Sequence, residues 1–107
     1  MSTSIPEPVG TFFDRVNTQD QGALDLFADD AVVDDWGREF NGREEIRTWS
    51  DQEFIGSQGV LTVESVVGTP DGIQVVGDWR SDHANGTSAF TFEVDGGTIT
   101  RMTIREG

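Results

Sequence analysis

The residues best placed to do chemistry are two adjacent carboxylates, Asp34 and Asp35, at the end of the stretch Phe27-Ala28-Asp29-Asp30-Ala31-Val32-Val33-Asp34-Asp35-Trp36. Ala31, Val32 and Val33 read as a short strand, following a helix that ends on Phe27 and a tight acidic turn at Asp29 and Asp30. A strand sends successive side chains to opposite faces, so the two carboxylates must have different surroundings. One is solvated and the other faces whatever the strand covers. A carboxylate turned into an apolar cavity is a candidate general acid or base. His83, the single histidine, stands beside the Ala84-Asn85-Gly86 turn, where a solvent-exposed edge position competes with a chemical role. With no cysteine and one histidine, neither a thiolate nucleophile nor a metal site is expected. The glycines belong to hairpins rather than to a phosphate-binding loop, and no cofactor is implied.

The elements that position these residues follow from periodicity. Residues 5–18 predict a helix, with Val9, Phe12, Phe13 and Val16 on one apolar stripe. Pro6 and Pro8 are tolerated in its first turn, with Ser4 as cap. After a polar break at 17–20, a short helix is predicted over 20–28, capped by Asp20. Residues 36–42 read as a turn and a short return strand. Asn41 then caps a third helix that carries Ile46, Trp49 and Phe54 and stops at Gly56. From Val60 the period changes to two, with strands expected at 60–67, 73–82, 87–94 and 98–105, joined by turns of sound chemistry. Helices first and hairpin-connected strands after predict an α+β fold, one domain over residues 1–107, with helices on one face of an antiparallel sheet.

Parity along 73–83 matters most. Ile73, Val75, Gly77, Trp79, Ser81 and His83 share one face; Gln74, Val76, Asp78, Arg80 and Asp82 share the other. The first set is the apolar, inward one, unless a bulge after Gly77 inverts it. The wall of the enclosed pocket is then Phe12, Val16, Val33, Asp35, Trp49, Val75, Trp79, Ser88, Phe90, Phe92, Met102 and Ile104. Asp35 either faces a ligand there or pairs with Arg38 or Arg43 at the mouth. Trp36 belongs at the pocket rim or on a dimer surface.

Charge excludes some partners. The 107 residues carry 20 acids against 7 bases, all arginine, for a net charge of −13. Nucleic acid and anionic membrane surfaces would be repelled. Such acidity fits a salt-rich cytoplasm or a GC-rich genome that writes Arg for Lys. The N-terminus lacks a basic region and an apolar run, and no stretch approaches the roughly 18 apolar residues of a membrane helix. A soluble cytoplasmic protein is expected.

Three stretches carry a resemblance that spans nearly the whole chain: Leu26 to Asp35, Phe40-Asn41-Gly42-Arg43-Glu44-Glu45-Ile46-Arg47, and Phe90 to Ile99. In sequence and spacing they resemble the nuclear transport factor 2-like superfamily, which includes ketosteroid isomerase, limonene epoxide hydrolase and the SnoaL-like polyketide cyclases. The resemblance implies a cone-shaped, cystatin-like fold: a curved sheet wrapped around the N-terminal helices, enclosing an apolar pocket, usually in a homodimer. Its partner would be a small apolar molecule. The fold hosts many functions, so activity rests on particular positions. The ketosteroid isomerase pattern places its base at Asp35, with Asp34 as the solvated neighbour. It puts Phe12 and Ser88 where that enzyme has oxyanion donors. A base without such donors does not stabilise an enolate, which argues against ketosteroid isomerisation itself. In SnoaL-like cyclases an aspartate works with a histidine, which implies a role for His83. The epoxide hydrolase pattern instead points to Arg80 and Asp82 as a pair that activates water, with Ile104 replacing its third member.

Three functions remain in view. One is an isomerase or cyclase using Asp35 as general acid or base. The others are a non-catalytic ligand-binding or dimerisation module and a hydrolase built on Arg80 and Asp82.

Overall fold

The computed structural model describes residues 5–107. The chain runs through α1 (Val9–Asn17), a 3-10 helix (Gln21–Leu26), β1 (Phe27–Asp35), β2 (Arg38–Asn41), α2 (Gly42–Glu53), β3 (Val60–Thr69), β4 (Gly72–Arg80), β5 (Gly86–Asp95) and β6 (Thr98–Glu106). The strands form one sheet in the order β2-β1-β6-β5-β4-β3. This is the α+β, cystatin-like cone, with the sheet curved around the N-terminal helices.

The apolar stripe of α1 builds the core. Val9, Phe12, Phe13 and Val16 are all buried, and the Phe12 and Phe13 rings meet Phe27, Phe90 and Phe92 from the sheet. Asn17 pins the end of this helix to β3. Its amide donates to the Leu61 carbonyl at 3.0 Å and its carbonyl accepts the Leu61 N–H at 2.8 Å, as an extra strand residue would.

Several boundaries differ from the sequence expectation. The first helix starts at Val9, not at residue 5, because the two prolines withhold N–H groups and Pro8 becomes the N-cap. Glu7 serves the exposed first turn instead, accepting the Thr11 N–H at 2.7 Å and the Thr11 hydroxyl at 2.8 Å. The proposed cap Ser4 lies outside the described residues. The second helix is a short 3-10 segment whose cap, Asp20, accepts the Gly22 N–H at 2.8 Å. Phe27 opens β1 rather than closing that helix, and the acidic pair Asp29-Asp30 lies in the strand, where the pairing with β6 slips between Phe27 and Val32.

All neighbouring strands are antiparallel except β1 and β6, which run parallel. In the chain, β2, α2, β3, β4 and β5 all lie between these two strands. No hairpin turn therefore dictates their relative direction. Along β4, Val75, Gly77 and Trp79 face inward while Arg80 is exposed. The bulge sits on β3 instead, between Val63 and Ser65. Among the described residues, no helix is long and apolar enough to cross a membrane.

Two tight features shape the open end of the cone. β1 and β2 are joined by Trp36 and Gly37, both at positive φ (54° and 91°), the geometry of a two-residue hairpin turn. Gly59, just before β3, lets the Trp79 ring lie on the backbone; a Cβ there would come within 2.1 Å of two ring carbons.

Candidate functional site

Four aromatic rings form a continuous stacked row across the molecule. Phe40 of β2 stacks on Trp49 of α2 at 5.8 Å, Trp49 on Phe54 at 4.8 Å, and Phe54 on Trp79 of β4 at 4.8 Å, with interplanar angles of 28°, 21° and 12°. On one side of Trp49 lies an open groove of about 790 Å³ along β2 and α2. On the other lies a more enclosed cavity of about 250 Å³. Trp49, Phe54, Trp79, Phe90 and Ile104 supply its apolar wall, and Asp35, Arg38, Glu53, His83 and Ser88 line it as polar groups.

Those polar groups are joined at the mouth. The Arg38 guanidinium reaches Asp35 Oδ2 at 2.6 Å and both oxygens of Glu53, at 2.6 and 3.1 Å. His83 Nε2 lies 3.0 Å from Glu53 Oε1. Hydrogen bonding to Arg38 outweighs burial and holds the Glu53 carboxyl below the usual carboxylate range; the same pair raises the Arg38 pKa further. The Trp49 indole N–H also donates to Asp35 Oδ2, at 3.1 Å. Both bonds to Asp35 fall on Oδ2, and no group among the described residues donates to Oδ1.

The neighbouring carboxylate is not solvated, as the sequence had suggested. Asp34 is 8% exposed. Arg105 binds both its oxygens, at 2.9 and 3.1 Å, and Arg101 and the Gly37 N–H add bonds of 3.3 and 2.8 Å. The cause is register. Asp34 lies beside Thr103 of β6, so the residues two before and two after Thr103, both arginines, reach across the same face. The Arg105 hydrogen bond holds the Asp34 carboxyl below its ordinary value, against the opposing effect of burial.

The predicted site residues divide three ways. Asp35, Trp49, Trp79, His83, Ser88, Phe90 and Ile104 are brought together around the cavity. Phe12, Val16, Val33, Val75, Phe92 and Met102 do not line it; they are closed into the core at 0% exposure, too deep for a ligand to touch. Arg80 and Asp82 line neither the groove nor this cavity; the apolar parity of β4 turns Arg80 outward, where it pairs with Asp78 at 2.9 Å. A water held by Arg80 and Asp82 would sit in bulk solvent.

His83 is at the mouth for a reason other than strand alternation. β4 ends at Arg80, and the Ser81 hydroxyl, bonded to the N–H groups of His83 and Ala84 and to the Ala84 carbonyl, shapes the following loop. The imidazole is half exposed and its partner is Glu53, not Asp35. Ser88 keeps its hydroxyl near the Gly86 carbonyl, at 3.4 Å.

Phe54, Glu53 and Arg38 were not chosen as site residues from the sequence. A signal existed for two of them: Glu53 follows Trp49 by one helical turn on the same face, and Arg38 is three residues from Asp35 across a hairpin. Phe54 gave none, because it lies past the last turn of α2 as its C-cap. Among the described residues, no group of three His, Asp or Glu side chains could hold a metal ion.

A family model described as a SnoaL-like domain matches residues 9–105. Several solved structures share the fold. A provisionally assigned polyketide cyclase from Sinorhizobium meliloti is 24% identical, with a TM-score of 0.81 over 94% of this chain and 95% of its own. A Mycobacterium tuberculosis protein solved with estradiol-17β-hemisuccinate is 25% identical, with a TM-score of 0.74 over 90% and 88%. An epoxide hydrolase/cyclase-like enzyme of pyran ring formation in the polyether salinomycin is 18% identical, with a TM-score of 0.80 over 92% and 87%. No curated protein matches the chain.

Proposed function

The chain belongs to the SnoaL-like domain family, within the nuclear transport factor 2-like superfamily, and on that premise we propose that it binds a small, largely apolar molecule in the cavity between α2, β4 and β5. One observation carries this reading. An aromatic-walled cavity presents at its mouth a single carboxylate oxygen, Asp35 Oδ1, that no group among the described residues engages. Binding sites combine mostly apolar walls with a few placed polar groups, and Asp35 is that group for a ligand hydroxyl or amine. The steroid complex of the Mycobacterium tuberculosis relative supports an apolar ligand class.

All three tryptophans, Trp36, Trp49 and Trp79, line the cavity, so intrinsic fluorescence reports its occupancy. Titration with 2-naphthol is expected to give saturable quenching, weakened about tenfold, or ~1.4 kcal/mol, in Asp35→Asn. Quenching that does not saturate would overturn the binding reading.

A second reading, an isomerase or cyclase with Asp35 as general base or acid, is favoured by the way Oδ2 is held. Two donors fix that oxygen and leave the other aimed at a substrate proton. Ser88 would be the neutral donor for an incipient enolate, and His83 would act on Asp35 only through Glu53 and Arg38. For a small cyclic ketone in deuterated water, wild-type protein should then catalyse exchange of the α-protons while Asp35→Asn does not. Equal exchange rates leave the binding module alone.

A further inference from the structure

We propose that Phe54 sets the size of the ligand, restricting the cavity to molecules of one or two rings and excluding four-ring ones. The inference rests on the reading of this cavity as a ligand site. Three observations carry it: where the ring sits, how firmly it is held, and how little space it leaves.

The Phe54 ring is clamped face to face between Trp49 and Trp79, both at 4.8 Å, and lies nearly parallel to Phe12 of α1 at 6.1 Å and 21°. It therefore fills the space between the cavity and the first helix. Its edge forms part of the cavity wall, although the residue is only 2% exposed.

The backbone holds it there. The Phe54 N–H donates to the Ser50 carbonyl at 3.1 Å, and the Phe54 carbonyl accepts the Ser57 hydroxyl at 2.8 Å and the Gly59 N–H at 3.3 Å. Ser50, fully buried, also accepts the Gly56 N–H on its carbonyl and the Ile55 N–H on its hydroxyl. With its backbone anchored and both ring faces stacked on tryptophans, Phe54 does not swing aside as a gate. Widening the cavity requires changing the residue.

The remaining space is about 250 Å³, below the roughly 300–1,000 Å³ that encloses a drug-sized ligand. A four-ring ligand would not be enclosed and would extend apolar surface onto the open shelf between Trp36 and residues 84–88. Trimming Phe54 to alanine would add apolar space on the order of 100 Å³, the scale of engineered cavities that accept a single aromatic ring.

The test titrates wild type, Phe54→Leu and Phe54→Ala with phenol, 2-naphthol and estradiol, following tryptophan fluorescence. Wild type should bind 2-naphthol at least tenfold more tightly than estradiol. Phe54→Leu, which keeps most of the bulk, should retain that order. Phe54→Ala should gain at least tenfold for estradiol. Wild type binding estradiol as tightly as 2-naphthol overturns the inference and leaves the binding reading intact. So does a folded Phe54→Ala protein, checked by circular dichroism, with no gain for estradiol. If Phe54→Ala does not fold, the size series on wild type and Phe54→Leu still decides. No saturable binding of any probe to any of the three proteins overturns the binding reading and this inference together.

Discussion

Two aromatic groups sit side by side in this small protein and are packed on different plans. In the closed core, Phe12, Phe13, Phe27 and Phe92 meet edge to face, with centroids 5.2 to 5.7 Å apart and ring planes 71° to 89° apart. In the row at the mouth, Phe40, Trp49, Phe54 and Trp79 stack with planes within 28° of parallel. Edge-to-face packing fills space in every direction and leaves no room for a guest. A row of parallel rings covers its faces and leaves its edges free, and here the groove and the cavity lie along those edges. The same residue type thus makes a core in one place and a wall in the other, and the difference is geometric rather than chemical.

The contrast predicts unequal costs of truncation. Phe12→Ala removes a ring that touches four others, and should destabilise by about 3–5 kcal/mol. Phe40→Ala removes the outer end of the row, half-buried beside a solvent-filled groove, and should cost about 1 kcal/mol, since little transfer energy and no closed cavity are at stake. Urea unfolding of the two variants measures both. Comparable losses would break the comparison, because the row would then be a second core.

The adjacent carboxylates sharpen it. Asp34, on the side away from the cavity, is clamped by two arginines, while Asp35 keeps one oxygen unengaged by the described residues. Arg105 lowers the folded-state pKa of Asp34 from its ordinary 3.8. A carboxylate with a depressed folded pKa contributes stability that is present above its unfolded pKa and lost as pH falls through the folded one. Asp34→Ala should therefore cost ~2 kcal/mol at pH 7, with the gap to wild type closing below about pH 4. Glu53, also depressed by its arginine, adds acid sensitivity of the same sign. Thermal unfolding of wild type and Asp34→Ala between pH 2 and 7 reads this directly. A gap that stays constant with pH would mean that Asp34 acts through packing and not through charge.

Local rules made much of the fold legible in the sequence. The helical stripe of Val9, Phe12, Phe13 and Val16, the hairpin turns and the inward parity of Val75 and Trp79 each depend on residues near in sequence, and the structure has them. What the sequence could not show depends on register between distant strands. Which of Asp34 and Asp35 meets arginine on β6 is decided by the parallel pairing of β1 with β6, to which no hairpin gives a clue. The depth of the pocket wall is hidden for a related reason. Parity says which side chains face inward but not how deep they lie, so sequence does not separate Val33 and Met102, closed in the core, from Phe90 and Ile104 at the cavity. His83 reaches the mouth through a loop tied by Ser81, beyond the end of the β4 strand and its alternation.

The smallest effect falls at the outer edge of the mouth. Trp36 sits at φ 54° and is 60% exposed, an uncommon conformation for a bulky residue and one that costs about 1 kcal/mol. Its neighbour Gly37 completes a two-residue turn whose preferred sequence is Asn-Gly. Trp36→Asn should therefore raise stability by up to about 1 kcal/mol, or roughly 4–8 °C in Tm for a domain of this size. The indole borders both the cavity and the shelf outside it, so the same substitution should weaken 2-naphthol binding. Strain of this kind persists where it serves a site, and the edge-to-face core contains none of it: its four phenylalanines all have negative φ. A variant that is more stable and binds less well would place the trade between stability and binding at the mouth. If Trp36→Asn loses stability instead, the indole holds the turn by packing, and the hairpin belongs to the scaffold rather than to the binding end.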